Sequence, residues 1–240
     1  MPAIYNPKKP LISIHIPKTG GSTVKESLTS WYGTNFFTHY VNENELQAPP
    51  QHTLMGSQCI HGHFNRFRTF GVDDFYPQAE QFITFLRDPF QQHISTFFYI
   101  QREAELYKFN GLPTPIMAMK SFEEFLIYLI ENRVEIQKGF ANTMFAHLPA
   151  RFLPFDARLL HSDVFIHIGI TEKLTLSMSL LAKKLGHTYT EITPQNTSPR
   201  ELLIHDKNLA IHKELFPIEH SFYNEIKELH LDELAQSRLI

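Results

Sequence analysis

A lysine, two adjacent glycines and three hydroxyl side chains lie together in residues 17–23, which read PKTGGST. Lys18 offers a full positive charge, and Gly20 and Gly21 let the backbone approach a bound anion because they have no Cβ. Hydrogen-bond donors come from the hydroxyls of Thr19, Ser22 and Thr23. Where a strand turns into a helix, unpaired backbone N–H groups and the helix dipole favour phosphate or sulfate. The segment therefore predicts an anion-binding loop at a helix N-terminus.

The order of these residues differs from that of the Walker A loop. That motif is Gly-x-x-x-x-Gly-Lys-Ser/Thr, with the lysine after the second glycine. Here Lys18 precedes both glycines, which disfavours an ordinary nucleoside triphosphatase. An interpretation without a ligand stays open, in which the segment is only a strand, a tight turn and a capped helix.

A second candidate is Arg87, which directly follows the apolar, β-prone run FITFL at 82–86. Pro89 suits the first turn of a helix, because its missing N–H is no loss there. Ser95 would then lie about two turns into that helix, on the face that can turn back toward Arg87. A guanidinium and a hydroxyl at that place can bind a second phosphate. The alternative is a local ion pair of Arg87 and Asp88 that caps the helix.

Together these two segments resemble the sulfotransferase family that uses 3′-phosphoadenosine 5′-phosphosulfate (PAPS) and releases 3′-phosphoadenosine 5′-phosphate (PAP). The chain is most similar to the carbohydrate branch, which includes the heparan sulfate 2-O- and 6-O-sulfotransferases. The resemblance assigns residues 17–23 to the 5′-phosphosulfate, and Arg87 with Ser95 to the 3′-phosphate. It extends to residues 168–172 and 196–200, where Ser198 and Arg200 become candidate nucleotide contacts. A surface turn is the alternative for this last group.

The sequence His61-Gly62-His63 supplies a candidate general base. Residues two apart on an extended segment share a face, so both imidazoles can point into one cleft. A hydroxyl acceptor benefits from losing its proton during attack, which calls for such a base. In the resembled branch the second histidine of this pattern is shared, which implies that His63 is the base and His61 assists. Lys18 is expected to stabilise the departing phosphate.

Other interpretations of the histidine pair are a structural role and a metal site, although no third ligand stands nearby. His15 can line the pocket because it adjoins the glycine loop, whereas the other histidines are expected to be structural. Arg66 and Arg68 either meet an acidic glycan or are solvent-facing charges.

The elements that position these residues alternate between strands and helices. Strands are predicted at 11–16, 55–60, 82–86 and 165–169, and helices at 23–31, 89–107, 121–131, 173–185 and 220–239. Residues 34–50 are predicted to be a loop with short structure. This order implies an α/β fold with a P-loop-like parallel sheet and helices on both faces. Such sheets bind ligands at the carboxyl ends of their strands, where Lys18 and Arg87 both fall.

Composition limits the remaining possibilities. The 240 residues fit one domain over 1–240. With 22 basic and 25 acidic residues, the net charge of −3 gives no argument for nucleic acid or an anionic membrane. The single Cys59 excludes an intrachain disulfide and a cysteine-based metal cluster within one chain. No run approaches the roughly 18 apolar residues of a membrane span, and the first ten residues do not form a secretory signal.

These observations predict a cytoplasmic enzyme of bacterial type. An excised Golgi-lumenal domain is the alternative, because animal members of the resembled family are Golgi membrane proteins. The expected reaction moves a sulfuryl group from PAPS to a hydroxyl, preferably on a carbohydrate, and needs no metal. Two other functions stay open: a P-loop-like kinase that uses ATP, and a non-catalytic nucleotide- or glycan-binding protein.

Overall fold

The computed structural model describes residues 3–41, 48–107, 115–132, 142–191 and 206–239. Within them, five parallel strands form one sheet in the order β2-β3-β1-β4-β5. The strands are β1 (Leu11–Ile14), β2 (Phe36–His39), β3 (Cys59–Gly62), β4 (Phe82–Leu86) and β5 (Phe165–Ile170). The predicted α/β fold with a parallel sheet flanked by helices is confirmed.

Helices surround this sheet. The described helices are α1 (Gly21–Tyr32), α2 (Val72–Phe75), α3 (Pro89–Tyr107), α4 (Phe122–Glu131), α5 (Ala157–Leu159), α6 (Leu174–Leu185), α7 (Asp206–Leu215) and α8 (Pro217–Gln236). Ser121 accepts the Glu124 N–H at 3.2 Å and so caps α4 as its sequence predicts. Gly186, with φ 77°, ends α6 in the left-handed conformation that favours glycine. None of the described helices is long and apolar enough to cross a membrane.

Both faces of the sheet are buried, which explains why its strands are continuous apolar runs. Because side chains alternate along a strand, neighbouring residues of β1 enter different clusters. Leu11 packs on one face with Val24 and Leu28 of α1 and with residues of α6. Ile12 and Ile14 pack on the other face with α5 and with the N-terminal half of α8.

Some predicted boundaries differ from the structure. Residues 34–50, predicted as a loop with short structure, contain β2, an edge strand too short to give a periodic signal. β3 begins at Cys59 instead of residue 55 because Met55 is exposed and Gly56 turns the chain with φ 47°. β1 ends at Ile14 instead of residue 16. Helix α7 was not predicted, and α8 begins at Pro217 instead of residue 220.

Candidate active site

The loop between β1 and α1 has the backbone form of an anion-binding site. Lys18 and Gly20 adopt left-handed conformations, with φ 67° and 84°, while Thr19 between them does not. A lysine rarely adopts the left-handed backbone conformation, and it keeps this conformation only where the surrounding structure holds it there. Successive N–H groups in alternating left- and right-handed conformations form a concavity that binds anions. The strain at Lys18 is therefore consistent with a functional loop.

Four successive carbonyls of this loop, those of residues 16–19, each accept a hydrogen bond from a side chain. In order, the donors are Thr19 Oγ1 (2.8 Å), Gln92 Nε2 (3.0 Å), Arg87 Nη1 (3.1 Å) and Thr171 Oγ1 (3.0 Å). In a trans peptide the N–H points away from its own C=O. The donors to the carbonyls of residues 17–19 therefore leave the N–H groups of residues 18–20 directed away from them, whereas the peptide between Ile16 and Pro17 has no N–H.

Arg87 lies at the end of β4, as predicted, and is only 8% exposed. The sequence indicated two separate cationic sites at neighbouring strands, whereas the structure brings Arg87 into direct contact with the loop through the Lys18 carbonyl. Asp88 accepts the Gln91 N–H at the start of α3, and its own N–H donates to Glu172. The helix cap thus comes from Asp88, while Arg87 reaches the loop.

The other predicted nucleotide contacts differ in exposure. Ser95 lies two turns into α3 and is partly exposed. Lys18 and Gly20 are also partly exposed, whereas Ser22 at the start of α1 is exposed to solvent. Thr19 and Thr23 are buried, and the Thr19 hydroxyl is used within the loop. Ser198 and Arg200 lie outside the described residues, so their roles stay predictions.

The Lys18 ammonium lies 4.2 Å from the centre of the Tyr99 ring on α3. An aromatic face attracts a cation at this distance, so Tyr99 helps to position Lys18. Tyr99 was not predicted from the sequence, although it lies one helical turn after Ser95 on the same predicted helix. Gln92 and the role of Thr171 were not predicted either.

His61 and His63 share a face, as the extended geometry predicted, and both rings contact His15. The ring centres are 5.2 Å apart for His15 and His61 and 4.4 Å apart for His15 and His63. His147 joins the group from a distant part of the chain, at 6.3 Å from His63. The His15 Nδ1 atom is hydrogen-bonded to the Tyr40 hydroxyl at 2.9 Å. We use the name imidazole cluster for four histidines: His15, His61, His63 and His147.

Two polar side chains fix the orientation of cluster members. Ser13 Oγ lies 2.8 Å from His61 Nδ1, and Asn142 Oδ1 lies 2.8 Å from His147 Nε2. His147 was expected to be only structural, and Asn142 was not predicted in the site. Their signal was weak because Asn142 lies just before and His147 directly after the short 3₁₀ turn Met144–Ala146, where no sequence period marks a face.

Burial keeps the imidazole cluster neutral at pH 7. It lowers the pKa of His63 to about 4 and the pKa values of His61 and His147 to about 3. The pKa of His15 falls well below its ordinary value, first by burial and then because neighbouring imidazoles oppose a second charge. A neutral imidazole has a lone pair that can accept a proton. The cluster can therefore supply a base, which suits the role predicted for His63.

Close packing explains why two positions of the site are glycine. A Cβ on Gly21 would lie 1.8 Å from His15 Nε2, and a Cβ on Gly62 would lie 1.9 Å from the His39 carbonyl oxygen. The expected approach of an anion at Gly21 stays a prediction; the structure shows that Gly21 leaves room for His15 against α1. Gly62 separates the two histidines because β2 passes close to that point of β3.

Comparisons with known proteins agree with this architecture. Residues 1–217 match the sulfotransferase family. Among solved structures, the chain is similar to the mouse sulfotransferase SULT7A1 in complex with PAP, with a TM-score of 0.50 and 14% identity. The likeness covers 90% of this chain and 85% of the mouse chain, and it shows a shared fold. No curated protein sequence matches the chain. Because the family match spans nearly the whole sequence, the chain belongs to the sulfotransferase family.

Proposed function

We propose that this chain transfers a sulfuryl group from PAPS to a hydroxyl group of a carbohydrate. The observation that carries the proposal is the contact of Arg87 with the glycine loop, 3.1 Å from Nη1 to the Lys18 carbonyl. It places a buried guanidinium against the backbone of an anion-binding loop, on the carbonyl side of the peptide that follows Lys18. A nucleotide with phosphates at both its 3′ and 5′ positions needs two such groups. The mouse sulfotransferase with the same fold holds PAP.

The residues present fit this donor. The loop amides and Lys18 would hold its 5′-phosphosulfate, and Arg87 with Ser95 would hold its 3′-phosphate; Ser198 and Arg200 are further candidates. When bound, PAPS supplies a sulfuryl group with a phosphate leaving group. Lys18 would then stabilise the charge that develops on the leaving oxygen.

His63 would accept the proton of the acceptor hydroxyl at an imidazole nitrogen. His61 would assist it by positioning the base or the acceptor, since both rings lie against His15. The choice of a carbohydrate is supported by the His-Gly-His pattern of the resembled branch. Arg68 is exposed five residues after His63 and offers an acidic glycan a positive charge.

Calorimetry with PAP and with ATP tests the nucleotide part of the proposal. We expect PAP to bind the wild-type protein more tightly than ATP. Arg87→Ala should lose about 1.5–3 kcal/mol of PAP binding, the contribution of a hydrogen bond to a charged group, or roughly 10- to 150-fold in Kd. Arg158→Ala is the control, because Arg158 is exposed and pairs with Glu225 at 2.8 Å.

Tighter binding of ATP than of PAP would favour the alternative function, a P-loop-like kinase that uses ATP. Transfer itself is tested with radiolabelled PAPS across a panel of glycans and phenols, where we expect a labelled glycan. PAP binding without a labelled product would indicate a non-catalytic binding protein, and a labelled phenol would contradict the carbohydrate acceptor.

A further inference from the structure

A second group of histidines lies on β5 and the C-terminal half of α8, separate from the imidazole cluster. His167 is on β5, and His230 and Glu233 are one turn apart on α8. His161 is in the π-helical turn Leu160–Val164 that leads into β5. Both His167 and His230 are buried, at 1% and 0% exposure. The chain thus brings three imidazoles and a carboxylate together where β5 meets α8.

These side chains hold several polar atoms that make no hydrogen bond within the described residues. The atoms are both ring nitrogens of His167, Nδ1 of His230, Nε2 of His161 and Oε2 of Glu233. A buried polar atom without a partner costs roughly 1–3 kcal/mol, so such atoms are rare in native proteins. A single bound ion could satisfy four of these five atoms, because one ring nitrogen of His167 would stay outside its coordination.

The spacing of these atoms suits a metal ion. One ligand atom each from His167, His230 and Glu233 can be chosen so that all three lie within 4.8 Å of one another. His161 Nε2 lies 3.6 Å from Glu233 Oε2; it is not among the three mutually close ligand atoms and would have to move toward them to complete a set of four. Tetrahedral zinc with bonds of about 2.0–2.1 Å holds its ligand atoms roughly 3.3 Å apart. Binding would draw the three closer by at most about 1.5 Å.

Neighbouring side chains already hold the opposite ends of two ligands. Ser177 Oγ lies 2.7 Å from His230 Nε2, which leaves Nδ1 for an ion. Lys184 Nζ lies 2.5 Å from Glu233 Oε1 and donates to the Ile166 carbonyl at 2.7 Å. The other carboxylate oxygen of Glu233, Oε2, is left for an ion. Metal-binding histidines and carboxylates are normally oriented by such outer hydrogen bonds. These contacts therefore fix the orientation of two of the ligands, His230 and Glu233, before an ion binds.

We propose that His167, His230 and Glu233, with His161 as the fourth ligand, bind a divalent transition-metal ion such as Zn²⁺. Imidazole and carboxylate are ordinary zinc ligands, and four protein ligands are typical of a structural site. The ion would join the edge strand β5 to α8. The side chains of His161 and Glu233 are 10% and 13% exposed and provide a route of access. The role proposed for the ion is structural and separate from the transfer reaction.

Zinc binding by the full chain tests this proposal. Protein stripped with a chelator is titrated with Zn²⁺ against a chromophoric competitor, and Co²⁺ is used to record the absorption of a tetrahedral site. We expect one ion per chain and a thermal midpoint that rises with added Zn²⁺. Glu233→Gln and His167→Ala should each weaken zinc binding by at least roughly 100-fold, because each removes a ligand.

Ser177→Ala retains every ligand but removes the hydrogen bond to His230. It should weaken binding by roughly 10- to 100-fold, the usual effect of an outer partner. His187→Ala is the control for adventitious binding, because His187 stacks on Trp31 outside the group. Circular dichroism checks folding, and if His167→Ala does not fold, the nearly isosteric Glu233→Gln decides. Failure of the wild type to bind Zn²⁺, or unchanged affinity in Glu233→Gln, would overturn the proposal.

Discussion

His63 is surrounded by the rings of His15, Tyr40 and His147, and this packing determines its acidity. Burial lowers its pKa to about 4, below the value near working pH that suits a general base best. The imidazole is therefore always available in its neutral form at pH 7, although it is a weak base. A bound anion nearby would raise the pKa, because a negative charge favours the protonated ring.

Replacing this one side chain tests its proposed role. His63→Ala should lower kcat by roughly 10²- to 10⁴-fold, the contribution of a positioned base, while the Kd for PAP stays unchanged. The rate is measured with radiolabelled PAPS and an acceptor from the glycan panel, and the Kd by calorimetry.

His187→Ala serves as the matched histidine control and should retain full turnover, because His187 stacks on Trp31 away from the loop. Turnover in His63→Ala equal to that of the wild type would exclude His63 as the base.

At the scale of elements, the glycine loop depends on donors from three other parts of the fold. Gln92 lies on α3, Arg87 at the end of β4 and Thr171 at the end of β5. The Thr171 hydroxyl lies 3.0 Å from the Thr19 carbonyl and 2.9 Å from the Leu86 carbonyl. A single hydroxyl thus links the loop, β4 and β5.

Thr171→Val preserves the shape of this side chain but removes the donor. We expect weaker PAP binding, because the Thr19 carbonyl is no longer held and the loop amides lose their common direction. The free energy of unfolding should fall by about 1–3 kcal/mol, the cost of an unsatisfied buried polar group. Calorimetry and urea denaturation measure the two effects.

Thr175→Val is the matched control for that variant. The Thr175 hydroxyl donates to Glu191 on the exposed side of α6, at 2.9 Å, so its loss should leave PAP binding unchanged. An unaltered Kd for PAP in Thr171→Val would show that the loop does not need this donor.

At the scale of the whole molecule, the carboxyl edge of the sheet collects the candidate site. β1 leads into the glycine loop, β3 into His63, β4 into Arg87 and β5 into Thr171. These four strands are neighbours in the order β3-β1-β4-β5. One edge of a parallel sheet therefore brings together residues that lie far apart in the sequence.

The many buried histidines should make stability depend on pH. Burial lowers the pKa of His39 and His63 to about 4, of His61 and His147 to about 3, and of His212 to about 2. In the unfolded chain each returns to about 6.5. As pH falls below that value, the unfolded state binds more protons, so folding loses stability. Each group contributes up to about 1.4 kcal/mol per pH unit.

We expect the free energy of unfolding to fall by several kcal/mol between about pH 7.5 and about pH 5.5. Urea denaturation at a series of pH values measures it, with constant m-values as the check on two-state unfolding. His147→Gln should flatten the pH dependence, because it removes one titrating group. A urea midpoint that does not change over this range would contradict the prediction.

Local sequence determined several features of this protein by itself. The apolar run before Arg87 predicted β4 with the observed bounds, Pro89 began α3, and Ser121 capped α4. These features depend on neighbouring residues, so periodicity and capping are sufficient to predict them. The alternation of strands and helices then gave the parallel sheet, and with it the placement of Lys18 and Arg87 at one edge.

Only the tertiary structure decided which side chains complete the site. Nothing local indicates that Gln92 and Thr171 hold the loop carbonyls, or that His147 lies beside His63. Such contacts join residues more than 70 positions apart, and they exist only after the sheet has formed. Burial follows from the same packing, so the low pKa values of the histidines are a property of the fold: water is excluded by residues from distant parts of the chain.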